Sequence, residues 1–276
     1  MRELDISSTA KLLITFIQAT VTNAGFSRVV IAASGGVDSS TAAALAVEAL
    51  GSQNVYALLL PFRDWHAEAG RLARLLLHQF HIPTSNVCEL NIAPMVEAFI
   101  QSLTLNSQML DNHNASADLD KLRMGNIMAR VRMVALFDHA RKLDALVLGT
   151  ENKSEHYLGY FTRFGDEASD VEPLRSLYKT EVYQLAEHLQ VPEEIRDADP
   201  TAGLWAGQTD EGQFGFTYKD ADEILQGLFE AGLSSQELVA LDLDWKTIQS
   251  VQAWVERMAF KHDLPLIAPE PIIAGG

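Results

Sequence analysis

The apolar run Val29-Val30-Ile31-Ala32-Ala33, followed at once by Ser34-Gly35-Gly36-Val37-Asp38-Ser39, constrains the fold more than any other stretch of this chain. So short a run rich in β-branched residues predicts a buried strand, here over 28–33. The two glycines predict a tight turn whose backbone approaches a neighbour or ligand without Cβ clashes. Residues 39–50 are rich in Ala and Leu and predict a helix. A strand, a glycine turn and a helix N-terminus together form an anion site. Free N–H groups and the positive helix end converge there. Asp38 adds a carboxylate at the mouth, which suits a phosphate only if a cation lies between them.

The rest of the chain alternates in the same way. Leu13, Phe16, Ile17 and Thr20 at helical spacing predict a helix over 9–24. After the first strand and helix come strand 54–60, helix 66–80, strand 86–90, helix 94–104 opened by Pro94, helix 124–142 and strand 144–149. This order predicts an α/β fold, a doubly wound parallel sheet with helices on both faces. Ligands of such sheets bind beyond the C-terminal strand ends, near the reversal of strand order. Ser34 and Gly149-Thr150 are therefore expected to share one cleft. Residues 105–123 and 199–216 are polar or glycine-rich and predict loops. A helix over 181–190, helices 218–230 and 245–260, and a capping box from Ser234 to Glu237 follow. The expected anatomy is a single domain over 1–276, with a core of about 10–200 and a helical C-terminal extension of about 216–265.

The formal charge of −16 disfavours sequence-independent nucleic-acid binding and anionic membranes as partners. It also gives weight to the few Arg and Lys residues near motifs, because an anionic ligand needs local cations. The single Cys88 excludes an intramolecular disulfide and any CxxC site, and predicts a plain core residue. His78 and His81 lack an evident third ligand, so a solvated or core role outweighs zinc. With no N-terminal apolar segment and no run of 18 apolar residues, the expected compartment is the cytoplasm.

The chain has no Gly-Lys pair, so the G-x-x-x-x-G-K-[ST] phosphate loop is absent. The sequence Ser-Gly-Gly-x-Asp-Ser after a strand instead resembles the pyrophosphatase loop of the adenine nucleotide α-hydrolase-like enzymes. A second constellation is more specific. Gly149 to Asp166 reads Gly-Thr-Glu-Asn-Lys-Ser-Glu-His-Tyr-Leu-Gly-Tyr-Phe-Thr-Arg-Phe-Gly-Asp. Gly125-Asn126-Ile127-Met128-Ala129-Arg130-Val131-Arg132 precedes it. Leu177-Tyr178-Lys179-Thr180-Glu181-Val182, Asp199-Pro200-Thr201-Ala202-Gly203-Leu204-Trp205 and Gly207-Gln208-Thr209-Asp210-Glu211 follow. In this order the blocks resemble ammonia-dependent NAD synthetase from about residue 10 to about residue 265.

The resemblance implies a ligase that amidates nicotinic acid adenine dinucleotide (deamido-NAD) to NAD. ATP is the co-substrate, Mg²⁺ the metal, an acyl-adenylate the intermediate and ammonia the nitrogen donor; AMP and pyrophosphate are released. It also implies a homodimer, with 94–104 and 124–142 as candidate interface helices. Ser34, Gly35, Gly36 and Ser39 would hold pyrophosphate. Asp38 and Glu155 would bind the metal. Thr150, Lys179 and Thr201 would bind ATP, with Asp38 and Lys179 at the catalytic centre. Arg130, Arg163, Asp170 and Lys261 would bind deamido-NAD. Loops 105–123 and 204–215 would close over the adenylate.

Taken singly, Glu155 and Lys179 also suit a solvated helix surface. Arg130 and Arg132 lie two apart on one helix and cannot share a face, so Arg132 is expected on the surface or in a salt bridge. The family usually carries His-Lys-Arg where this chain has Phe260-Lys261-His262, and Lys where it has Arg163. An Asp common before the Leu of 173–177 is missing, and 61–68 differs from the usual loop. One Cys in a predicted core strand leaves no glutaminase nucleophile, so free ammonia is the expected donor. The alternatives are another adenylating enzyme of the same loop superfamily and a nucleotide sensor. A tRNA-modifying member would carry a basic surface, and a sensor could dispense with Asp38, Glu155 and Lys179.

Overall fold

The computed structural model describes residues 2–63, 67–105, 117–201, 203, 208–262 and 267–269. Helix α1 (Ile6–Asn23) leads into β1 (Val29–Ala32) and α2 (Val37–Leu50). There follow β2 (Val55–Leu59), α3 (Ala67–Gln79), β3 (Val87–Glu89), α4 (Ala93–Leu105), α5 (Ala117–Leu143) and β4 (Leu146–Val147). Short helices α6 (Lys153–Leu158), α7 (Lys179–His188), α8 (Glu193–Arg196) and α9 (Asp210–Phe214) come next. α10 (Tyr218–Leu225), α11 (Ser235–Ala240) and α12 (Trp245–Met258) complete the series. The four strands are parallel in the order β3-β2-β1-β4. The chain therefore steps outward from β1 to β3 and then returns to the other side of β1. That reversal opens a crevice between the ends of β1 and β4.

Alternating strand residues feed two cores, as period-2 geometry requires. Val29, Ile31, Ala57 and Leu59 pack with α1, α2, α3 and α7 on one face. Val30, Leu58, Leu60 and Val147 pack with α4 and α5 on the other. A third apolar cluster, with Phe214, Tyr218, Leu225, Leu238 and Val251, builds the helical extension against Leu158 and Tyr178. Fold and element order match the doubly wound expectation. The Ser234–Glu237 capping box is present.

Five elements differ from these expectations. Helix α5 starts at Ala117, so 117–123 is helix and not loop, supported by an Arg123–Asp120 pair at 2.9 Å one turn apart. Residues 106–116 lie outside the described residues. Strand β4 is only Leu146–Val147, because Asp144 takes φ +51° as α5 ends and Leu148 bridges to Val171 instead. Helices α2 and α7 each begin two residues early, which puts Asp38, Ser39 and Lys179 in first turns. Within 199–216, Thr209 caps α9 by accepting from Gly212 N, so Asp210 heads a helix; residues 204–207 lie outside the described residues.

Candidate active site

The loop after β1 is held by its own side chains. Ser34 Oγ and Ser39 Oγ lie 2.9 Å apart, Gly36 N donates to Ser34 Oγ at 3.3 Å, and Ser39 Oγ donates to Gly36 O at 3.1 Å. Gly35 has φ +82°, and a Cβ there would fall 2.2 Å from Ala69 O of α3. Gly36 caps α2 with no side chain, so the first-turn N–H groups of α2 face the crevice with the positive helix end.

Lys179 enters the crevice from the first turn of α7. Its side chain is 3% exposed. Nζ lies 2.5 Å from Asp38 Oδ2, 3.4 Å from Glu155 Oε1 and 5.0 Å from the Tyr218 ring centre. Burial lowers the ammonium pKa, but Asp38, Glu155 and Asp210 outweigh it and hold Lys179 above the ordinary range. Burial, with Asp38 beside it, pushes the Glu155 carboxyl well up, against the pull of Lys179. The solvated-surface alternative for these two charges is thereby excluded.

Asn152 joins the pair from behind. Its Nδ2 donates to Asp38 Oδ1 at 2.9 Å, its backbone N donates to Glu155 Oε2 at 3.2 Å, and its Oδ1 accepts from Glu155 N at 3.0 Å. Sequence reading passed over Asn152, although Asn-x-x-Glu is a capping-box signal. Asp210 was also passed over. It lies in the same field, with its carboxylate accepting from the hydroxyls of Tyr160 at 3.0 Å and Tyr218 at 3.1 Å.

These groups line one cleft of about 1380 Å³. Ser34, Gly35, Gly36, Asp38, Ser39, Thr150, Glu155, Lys179, Thr201, Arg130, Arg163 and Lys261 all face it. Arg130 donates from Nε and Nη2 to Arg163 O at 3.2 and 3.1 Å, and the Arg163 guanidinium lies 5.2 Å from the Phe260 ring centre. Thr201 Oγ1 accepts from Gly203 N at 3.1 Å. Lys261 Nζ donates to Gly159 O and Phe161 O, both at 2.6 Å, and burial lowers its pKa.

Asp170 is not among the lining residues. Its Oδ2 accepts from Val147 N at 2.8 Å, which closes the short edge of β4. Arg132 departs from its expected surface position. It also lines the cleft, where Nε donates to Leu60 O at 3.1 Å and burial lowers its pKa. Cys88 is half-buried against the α4–α5 core, and His78 and His81 are exposed.

Below the cleft floor, Glu172 packs against Gly149, where a Cβ would fall 2.0 Å from Glu172 Oε1. Burial pushes the Glu172 carboxyl up to about 7, although Ser169 Oγ donates to it at 2.6 Å. A carboxyl raised on folding favours the folded state at low pH, and that advantage disappears as pH rises through its folded pKa. Between about pH 5 and about pH 8, wild type is expected to lose up to about 3 kcal/mol that Glu172→Gln does not lose. Thermal melts at both pH values test this; parallel losses would refute it.

Among the described residues, no group of three or more His, Cys, Asp and Glu side chains forms an all-protein metal cage. Mg²⁺ does not require one, since it takes one or two carboxylates with phosphate and water oxygens. Asp38 and Glu155 are hard donors converging on one cation beside an anion-binding loop, a donor set that fits this ion.

The family model for NAD synthase matches residues 9–265. The chain is 39% identical over 258 residues to the NH(3)-dependent NAD(+) synthetase of Trichlorobacter lovleyi, covering 94% of this chain and 89% of that protein. It superposes on the structure of NMN synthetase from Francisella tularensis with a TM-score of 0.80 at 32% identity, over 96% of this chain and 99% of that one. The NH3-dependent NAD synthetase of Campylobacter jejuni, solved with a nitrate ion, gives a TM-score of 0.76 at 30% identity, over 96% and 100%. The loop after β1, the buried Lys179 between two carboxylates and the match over nearly the whole length agree: the chain belongs to the NAD synthase family.

Proposed function

We propose that this protein amidates deamido-NAD to NAD, a C–N ligase reaction driven by ATP with ammonia as nitrogen donor. The observation that carries the reading is Lys179, buried and ion-paired to Asp38 and Glu155, beside the open N-terminus of α2. A carboxylate resists nucleophiles because of its own charge, so it must first be activated. Its oxygen attacks the α-phosphorus of ATP, an O–P bond forms, and the bond to the β-phosphate oxygen breaks. Pyrophosphate leaves with that electron pair onto Ser34, Gly35, Gly36, Ser39 and the α2 amides. Lys179, itself buried, offsets phosphate charge. Ammonia then adds to the acyl carbon, AMP leaves with the C–O electron pair, and the surplus ammonium proton passes to solvent. Mg²⁺, held by Asp38 and Glu155, would supply further charge neutralisation when bound. In this reading Thr150 and Thr201 would bind ATP, and Arg130, Arg163 and Lys261 the anionic dinucleotide; all five line the cleft.

A second reading, amidation of nicotinic acid mononucleotide, is favoured by the likeness to the Francisella protein. One assay separates the two. Pyrophosphate release from ATP–Mg²⁺ with ammonium is expected to depend on deamido-NAD and to yield NAD. Release with the mononucleotide alone would select the second reading, and release with neither would remove both.

The active form is proposed to be a homodimer. Met95, Phe99 and Leu103 on α4 and Val134 on α5 are large apolar residues left exposed on the helices expected at the interface. A sedimentation mass of 30.4 kDa, that of one chain, would refute this. No helix among the described residues is long and apolar enough to cross a membrane. With a charge of −16, this supports a cytoplasmic enzyme of small molecules without nucleic-acid or membrane partners. Recovery with membranes on fractionation would count against it.

A further inference from the structure

We infer that Asp222, on α10 of the helical extension, is the positioning residue that sets Lys179 against Glu155. The inference rests on the reaction proposed above. Asp222 is fully buried and is not among the residues lining the cleft. Its Oδ1 accepts from Ser154 Oγ at 2.5 Å, and its Oδ2 accepts from Thr180 N at 2.9 Å and Thr180 Oγ1 at 2.8 Å. Ser154 Oγ in turn accepts from Lys179 N at 2.8 Å. The first amides of a helix have no partner within it, and a local Ser, Thr, Asp or Asn normally caps them. The N-cap position of α7 is Tyr178. The cap arrives instead from α6, through Ser154, and from α10, through Asp222.

Ser154 directly precedes Glu155, and Thr180 directly follows Lys179. One buried carboxylate therefore grips the neighbours of both members of the ion pair. It fixes where α6 starts relative to where α7 starts, and so fixes the separation of Glu155 and Lys179, the two groups that would face metal and phosphate. Lys179 Nζ is 3.4 Å from Glu155, a distance that a small slide of either helix would change. The extension thus holds the catalytic pair from behind, 42 residues along the chain from Thr180.

Asp222→Asn keeps the shape and one acceptor, which cannot serve two hydroxyls and an amide together. The assay is deamido-NAD-dependent exchange of pyrophosphate into ATP, which reads adenylation alone. Asp222→Asn is expected to lower its kcat by on the order of 10²-fold. With ATP and deamido-NAD saturating, kcat/KM for ammonium in the full reaction should stay as in wild type, because it reads only the steps after adenylation. The deciding arm is a double-mutant cycle. In a Lys179→Met background the same change should reduce the residual exchange less than about 2-fold, since the group it positions is gone. A residue that only holds the fold would give equal factors in both backgrounds, and that result overturns the inference. So does unchanged exchange in Asp222→Asn. If Asp222→Asn does not fold by its thermal transition, Ser154→Ala, which removes the hydroxyl between Asp222 and Lys179 N but leaves both Thr180 bonds, takes its place with the same expectations. A wild-type chain that performs no exchange overturns the proposed function, and this inference with it.

Discussion

Lys179→Met is expected to lower deamido-NAD-dependent pyrophosphate release by on the order of 10³-fold. It is also expected to destabilise the fold by roughly 3 kcal/mol at about pH 8. Both effects follow from one geometry. The ammonium is almost fully buried between Asp38 and Glu155, with Asp210 in the same field. Removing it leaves carboxylates facing one another without a counter-charge, and leaves the developing charge on the leaving pyrophosphate without its cation.

The pH dependence separates this from simple loss of packing. Glu155 already has a raised folded-state pKa, from burial and from Asp38, and Lys179 opposes that rise. Without Lys179 the rise grows. A carboxyl raised on folding favours the folded state at low pH and loses that advantage as pH rises, so the deficit of the variant should widen upward from the ordinary carboxylate range. Lys179 itself is raised above its ordinary value, so its contribution in wild type persists through neutral pH and is lost only in strong base. Urea unfolding at about pH 5 and about pH 8 should show the larger deficit at the higher pH. Equal deficits would mean that the loss comes from repacking around the new side chain and not from the missing charge.

Legibility in the sequence follows the range of the contacts. Ser34 to Ser39 could be read directly because strand, turn and helix are consecutive and their hydrogen bonds span two to five residues. The sheet was legible because apolar runs alternate with amphipathic ones. Asn152 and Asp222 act at separations of 114, 68 and 42 residues, which periodicity cannot report. Asp210 was hidden in a stretch whose Gly, Asp and Thr content predicts a loop, since the five residues of α9 are too few for a periodic signal. Arg130 and Arg132 do lie on different faces of α5. One points to Arg163 O and the other to Leu60 O, yet a cleft that wraps around α5 receives both. Taken singly, Glu155 and Lys179 suited a surface as well as a site, because burial belongs to the fold and not to the residues.

Gly35→Ala is expected to destabilise the protein by about 3 kcal/mol and to abolish ATP-dependent chemistry at ordinary substrate levels. At φ +82° the new Cβ strains its own backbone, and it meets Ala69 O at 2.2 Å, an atom fixed in the first turn of α3. Relief requires either α3 to leave the sheet face or the loop to change shape, and the loop shape is what presents the α2 amides. Gly36 is the internal control. Its φ is −83°, and a Cβ there would stand 3.5 Å from Ser34 Oγ, an ordinary contact. Gly36→Ala should therefore unfold at the wild-type temperature. If it nevertheless raises the KM for ATP, a bound phosphate must approach the backbone closely enough to exclude a methyl group. If Gly35→Ala melts with wild type and retains activity, the loop is not rigid against α3, and the anion site is not preformed as the structure has it.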